Sequence, residues 1–213
     1  MLIGHEEPGL DDIQRHRASD VAALGYVGFA LGYVGFALDY HGSLSPFADR
    51  DAMMDRLGEL FANPERTRAL GVAALAVVRR EPSVDSTRIA AIGYCFGATV
   101  ALELGRTGAD LKAIVGFHPG LTNVRPEDSR NIKGRVLMCI GTDDPIIPLE
   151  HRVAFEAEMR SARVPFDMHL YGGVQHSFTH PRASDAGLPG IAYDERAARQ
   201  SWNAMRELLV EVF

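Results

Sequence analysis

Seven residues, Ile92-Gly93-Tyr94-Cys95-Phe96-Gly97-Ala98, constrain the fold of this chain more than any other stretch. The run before them, Arg88-Ile89-Ala90-Ala91-Ile92, is apolar and of strand length. The residues after them, Ala98–Leu104, have helical character. A strand that turns this sharply into a helix crowds the positions two before and two after the apex, and Gly93 and Gly97 remove those side chains. The apex residue is a cysteine, and the helix N-terminus behind it favours the thiolate. The spacing is that of the Gly-x-Ser-x-Gly nucleophile elbow with Cys in place of Ser. A buried, inert cysteine is the plain alternative, and the elbow alone does not decide between the two.

The rest of the chain alternates strand-like and helix-like segments. Leu2-Ile3-Gly4, the stretch ending at Asp39, Arg88–Ile92, Lys112–Phe117, Arg135–Ile140 and Phe166–Tyr171 read as strands. Helices are expected from Asp11 to Leu24, Asp49–Phe61, Glu65–Arg80, Ala98–Leu104, Leu149–Ala162 and Asp194–Val210, and Thr122–Lys133 reads as a polar loop. This alternation implies an α/β fold: a mostly parallel sheet with helices on both faces. Reacting groups collect at the carboxyl ends of such strands. The strand ends here present Glu6, Cys95, His118, Asp144 and His176, a nucleophile, an acid and a histidine on one rim in that chain order.

With 213 residues, 46% hydrophobic, the chain is long enough for one full α/β core, so residues 1–213 are expected to form a single domain. The net charge of −6 argues against a nucleic-acid partner. Cys95 and Cys139 are the two cysteines. They cannot make a disulfide framework or a Cys-x-x-Cys metal site, and Cys139 sits inside an apolar run. No cofactor or metal is expected. Free thiols and the absence of a signal-peptide pattern predict a cytoplasmic protein. Val21–Leu38 has the length of a membrane span, yet its length comes from a repeat: Gly-Tyr-Val-Gly-Phe-Ala-Leu stands at Gly25–Leu31 and again at Gly32–Leu38. With one copy removed, an ordinary helix-turn-strand sequence remains, so no membrane association is expected.

A thiol needs a histidine to take its proton, and the histidine needs a carboxylate to fix its tautomer. His176 follows Gly172-Gly173 on a loop that can fold back over the rim; Asp143 and Asp144 compete for the acid's place. His176 and His180 have the i,i+4 spacing of a helical metal pair, but Ser177-Phe178-Thr179 and Pro181 favour a loop.

Four motifs in order, His5-Glu6-Glu7-Pro8-Gly9-Leu10, Gly93–Gly97, Gly141–Pro148 and Gly172–Phe178, resemble the dienelactone hydrolase family of the α/β-hydrolase superfamily. The resemblance covers nearly the whole chain. It implies a Cys95–His176–Asp144 triad, with the acid at Asp144 because the family's acid stands four residues before the proline matched by Pro148. It assigns Glu6 to the glutamate that helps deprotonate the resting thiol, and the oxyanion hole to the backbone N–H groups of Phe96 and Glu7. Tyr40, His118, Phe178 and His180 are the candidate substrate-binding residues. The function implied is hydrolysis of esters or lactones through an acyl-enzyme. A thioesterase or acyl transferase using the same triad, and an impaired scaffold or binding protein, are the alternatives.

Three departures stand against the family pattern. The two strands usual before Leu2–Gly4 are missing, and the heptapeptide is doubled. His180 and His118 replace a substrate-binding arginine and a pocket tyrosine. The loss of two strands leaves the strand ending at Asp39 at the sheet edge. A homodimer through that edge or through the repeat is therefore expected.

Overall fold

The computed structural model describes residues 1–6, 11–24, 35–38 and 49–213. Their strands are β1 (Leu2–Gly4), β2 (Phe36–Leu38), β3 (Ala90–Tyr94), β4 (Ala113–Phe117), β5 (Arg135–Gly141) and β6 (Phe166–Tyr171). The helices are α1 (Asp12–Ala23), α2 (Arg50–Ala62), α3 (Pro64–Val78), α4 (Phe96–Arg106), α5 (Leu149–Ala162) and α6 (Glu195–Val212). The six strands form one sheet in the order β2-β1-β3-β4-β5-β6, and every pairing is parallel. Crossover helices between parallel strands cover both faces, which is why β3, β4 and β5 read as unbroken apolar runs.

The two-residue period of the strands divides the core. Ala91, Ile114, Val136 and Met138 face one side and pack with Leu75, Leu102, Phe155 and Met159 of α3, α4 and α5. Ala90, Ile92, Val115, Leu137 and Cys139 face the other and pack with Val21 of α1 and Met205, Leu208 and Leu209 of α6. Helix ends are set locally. Asp49 accepts the Asp51 N–H at the start of α2, Asn63 accepts the Arg66 N–H at α3, and Asp194 accepts the Ala197 N–H at α6.

As expected from the sequence, β2 is the edge strand among the described residues, pairing with β1, with Phe36 opposite Leu2 and Leu38 opposite Gly4. The second copy of the repeat supplies it. Gly35 lies so close to α1 that a Cβ there would stand 2.1 Å from the Ala18 carbonyl oxygen. The first copy lies outside the described residues.

One segment departs from expectation. The stretch Thr122–Lys133 contains a 3₁₀ turn, Pro126–Asn131, docked through its buried Ser129. The turn closes a buried ionic network. Arg106, 1% exposed, donates to Glu103 at 2.7 Å, to Glu158 at 2.7 Å and to Ser129 at 3.1 Å. Arg68 donates to Glu103 and to Asp128, each at 2.7 Å. The network ties α3, α4 and α5 to the turn behind the elbow helix.

Candidate active site

The elbow is built as its glycines require. Cys95 sits between β3 and α4 at φ 51°, a left-handed conformation that a non-glycine residue holds only under constraint. A Cβ at Gly93 would stand 2.2 Å from the Gly97 carbonyl group, and one at Gly97 would stand 2.4 Å from the Gly4 carbonyl carbon. The two glycines thus serve different contacts. Gly93 admits the turn, and Gly97 lets α4 settle against the end of β1, where its N–H donates to the His5 carbonyl at 3.1 Å.

His176 lies on the loop after β6 and is fully buried. Its Nδ1 is 2.7 Å from Asp144 Oδ2, and its Nε2 is 3.2 Å from Cys95 Sγ. The carboxylate can only accept, so Nδ1 carries a proton, and Nε2 faces the sulfur. Asp144, 3% exposed at the end of β5, is fixed by the Ile146 N–H, which donates to its Oδ1 at 2.9 Å. Asp143 is exposed and accepts from the Thr142 hydroxyl at 2.9 Å. Of the two carboxylates, Asp144, which the resemblance names as the acid, is the one in contact with His176. Cys139 is buried in β5 with its thiol pushed up to about 12 by burial.

Glu6, 6% exposed, reaches the same region from the end of β1. Its Oε2 accepts from the Ser177 hydroxyl at 3.0 Å, and its Oε1 lies 3.8 Å from His118 Nε2. His118 and Phe178, expected on the substrate pocket, are instead fully buried beneath the histidine. The His118 ring meets those of His176 and Phe178 edge to face, with centroids 4.9 and 5.4 Å apart. The cause is the segment Ser177–His180, which folds over the end of β4: Thr179 Oγ1 is 2.9 Å from His118 Nε2, and Arg17 donates to the Thr179 carbonyl at 3.0 Å. Burial holds His118 well below the usual histidine range. His180 is half-buried, 3.6 Å from Asp11, and that nearby carboxylate raises its pKa. Phe96 opens α4; Glu7 and Tyr40 lie outside the described residues. Ser177, Thr179 and Arg17 were not singled out from the sequence, where nothing but proximity to His176 marks the first two.

Among the described residues no cluster of histidine, cysteine and carboxylate side chains could hold a metal ion. No helix among them is long and apolar enough to cross a membrane. Chemically, the arrangement offers a thiol, an imidazole placed to exchange a proton with it and a carboxylate behind the imidazole.

The comparisons with known proteins fit this rim. The solved structure named m3DLH superimposes with a TM-score of 0.93 at 43% identity, covering 100% of this chain and 85% of that one. An uncharacterized protein of Caenorhabditis elegans is 30% identical over 143 residues, 66% of this chain and 90% of that protein. A Bradyrhizobium protein named as a probable 2-oxo-3-(5-oxofuran-2-ylidene)propanoate lactonase is 29% identical over 141 residues, and the matched part spans only 53% of its length. The model of the dienelactone hydrolase family matches residues 1–213, from β1 through the elbow to the end of α6. The match therefore takes in every element that carries the rim, and the chain belongs to that family of ester and lactone hydrolases.

Proposed function

We propose that the protein hydrolyses carboxylic esters or lactones with Cys95 as nucleophile, His176 as general base and acid, and Asp144 as the group that orients it. The observation that carries this reading is the continuous line from Asp144 Oδ2 through His176 to Cys95 Sγ, at 2.7 and 3.2 Å. The lactonase name of the Bradyrhizobium relative supports including lactones.

In the first half-reaction His176 Nε2 takes the thiol proton. The sulfur bonds to the carbonyl carbon and the carbonyl electron pair moves to oxygen. The N–H groups of Phe96 and Glu7 are the expected donors to that oxyanion; one such donor is worth about 3–4 kcal/mol in a comparable site. Collapse breaks the carbon–oxygen bond, and Nε2–H protonates the leaving alkoxide. In the second half-reaction His176 deprotonates water, hydroxide adds to the thioester, and the carbon–sulfur bond breaks to release acid and thiol. Asp144 stabilises the imidazolium in both halves. Glu6, anchored by Ser177, is a second base beside the site that can take the thiol proton in place of His176 when substrate enters.

The test is an aryl ester assay joined to intact-mass measurement. The wild-type protein should gain the mass of one acyl group on Cys95 under quenched turnover. Cys95→Ala should keep its fold, since the side chain is small, and lose the acyl adduct. Retention of more than about one part in a hundred of wild-type kcat in Cys95→Ala would overturn the assignment, because removing a nucleophile costs far more.

A further inference from the structure

We infer that a small cavity beside the elbow receives the acyl chain of the substrate, and that it selects neutral esters with acyl groups of about three or four carbons. The inference rests on the reading of Cys95 as the nucleophile.

The cavity has a volume of about 110 Å³ and runs along one face of α4, from Phe96 past Thr99 to Glu103. These positions, three and four residues apart, share a helix face. Leu60 and Phe61 at the end of α2 form the opposite wall, and the Phe61 ring meets Phe96 edge to face with centroids 4.7 Å apart. Continuity with the nucleophile comes through the same side chains. Leu60 and Phe96 belong to a buried apolar cluster, and Cys95 packs directly against it. The mouth is flanked by Phe61, 49% exposed, and Val124, 71% exposed. Two large apolar side chains are thus held at the surface beside the cavity.

Four of the polar side chains along the cavity, Thr67, Thr99, Glu103 and Asn123, already have partners. Thr67 donates to the Leu60 carbonyl at 2.9 Å, and Thr99 donates to the Gly120 carbonyl at 3.3 Å. Both Glu103 oxygens accept from arginines at 2.7 Å. Asn123 donates to the Arg125 carbonyl and to Glu158, and its oxygen accepts the Arg125 N–H. None of the lining residues is a lysine or arginine. Glu103 is already paired with Arg68 and Arg106, and a chain ending in a carboxylate would find no cationic side chain on the lining, so the occupant that fits is neutral and apolar. An apolar cavity of about 150 Å³ accepts benzene; one of about 110 Å³ suits a shorter chain. The acyl part is assigned because it stays on the sulfur through the second half-reaction, whereas the alcohol must leave.

The test is kcat/KM for p-nitrophenyl esters from acetate to octanoate, and for butyrate esters of different alcohols. Two added methylenes should raise kcat/KM about tenfold from acetate to butyrate, with a fall by octanoate. Alcohol length should matter less. Val124→Trp should narrow the mouth and cut the butyrate-to-acetate ratio about tenfold, while Phe61→Ala should move the optimum to longer acyl groups. Circular dichroism checks that both surface variants fold. A flat acyl series, a preference that follows the alcohol instead, or a ratio that neither variant moves would overturn the inference. An acyl adduct on Cys95 together with a flat series would remove the cavity's role alone; no adduct on Cys95 would remove the nucleophile reading, and this inference with it.

Discussion

His118 stands edge-on against His176, with ring centroids 4.9 Å apart and planes at 68°. The contact places a second imidazole, fully buried and at φ 41°, directly behind the one that serves the thiol. A protonated neighbour there would repel the imidazolium that His176 must become. Burial, then the proximity of His176 and His180, keeps His118 neutral; Arg17 acts in the same direction. Glu6 Oε1 at 3.8 Å is the carboxylate that faces it.

His118 makes stability depend on pH in a definite direction. Its folded pKa is depressed, so the unfolded chain binds a proton near pH 6.5 while the folded chain does not. The stabilisation is complete above about pH 6.5 and is lost as pH falls, by up to about 1.4 kcal/mol per unit. His180, raised by Asp11, has the opposite sign: its contribution is present at low pH and lost as pH rises through its folded pKa. We expect the urea midpoint of the wild-type protein to fall between pH 6.5 and 5, and that fall to shrink in His118→Phe. An unchanged slope in the variant would contradict the assignment.

Asp144→Asn should be far more damaging than Asp143→Asn. The first removes the acceptor from His176 Nδ1 and permits the wrong tautomer, an effect of about 10⁴ in kcat in a comparable triad. The second alters an exposed side chain bonded to Thr142, so its kcat/KM should stay within about twofold, about 0.4 kcal/mol. Steady-state kinetics on one aryl ester decides, and an equal or reversed ranking would move the acid to Asp143.

Arg106→Leu should destabilise the fold by about 3–5 kcal/mol, the usual cost of breaking a buried ion pair. It leaves Glu103 and Glu158 with fewer donors while Arg68 and Asn123 remain. Urea unfolding measures it, and a loss under about 1 kcal/mol would show that the remaining partners suffice.

What was legible in the sequence follows from how local each cause is. The elbow was readable because Gly93 and Gly97 answer contacts made within a strand, a turn and the neighbouring strand. The strands β3 to β5 were readable from apolar runs and β6 from its alternation, and α5 and β6 were placed to the residue. The Arg106 network was not, because Arg68, Glu103, Asp128 and Glu158 look like solvated helix and loop charges until α3, α4, α5 and the 3₁₀ turn dock. The burial of His118 and Phe178 escaped for a similar reason. A residue ending a strand on the rim looks exposed unless one knows that Ser177–His180 folds over it.

The doubled heptapeptide provides the last prediction. Both copies have the same propensities, so only their flanks distinguish them, and β2 is formed by Phe36–Leu38 of the second. That choice places the strand's carboxyl end on the rim side, with Leu38 in register with Gly4 of β1 and, through it, Gly93 of β3. Deleting Gly25–Leu31 leaves β2 and its contact with α1 through Gly35 and Ala18 in sequence. Only Leu24 and Gly32–Gly35 then join α1 to β2, an ordinary connection length. The deletion should keep kcat/KM within about threefold, about 0.7 kcal/mol. Removing a second copy of the edge-strand sequence should also lower any self-association seen by light scattering, since an edge strand and a duplicate of its sequence are the ingredients of exchange between chains. A large rise in activity on deletion would place the first copy over the active rim, and a collapse of the fold would show that β2 depends on it.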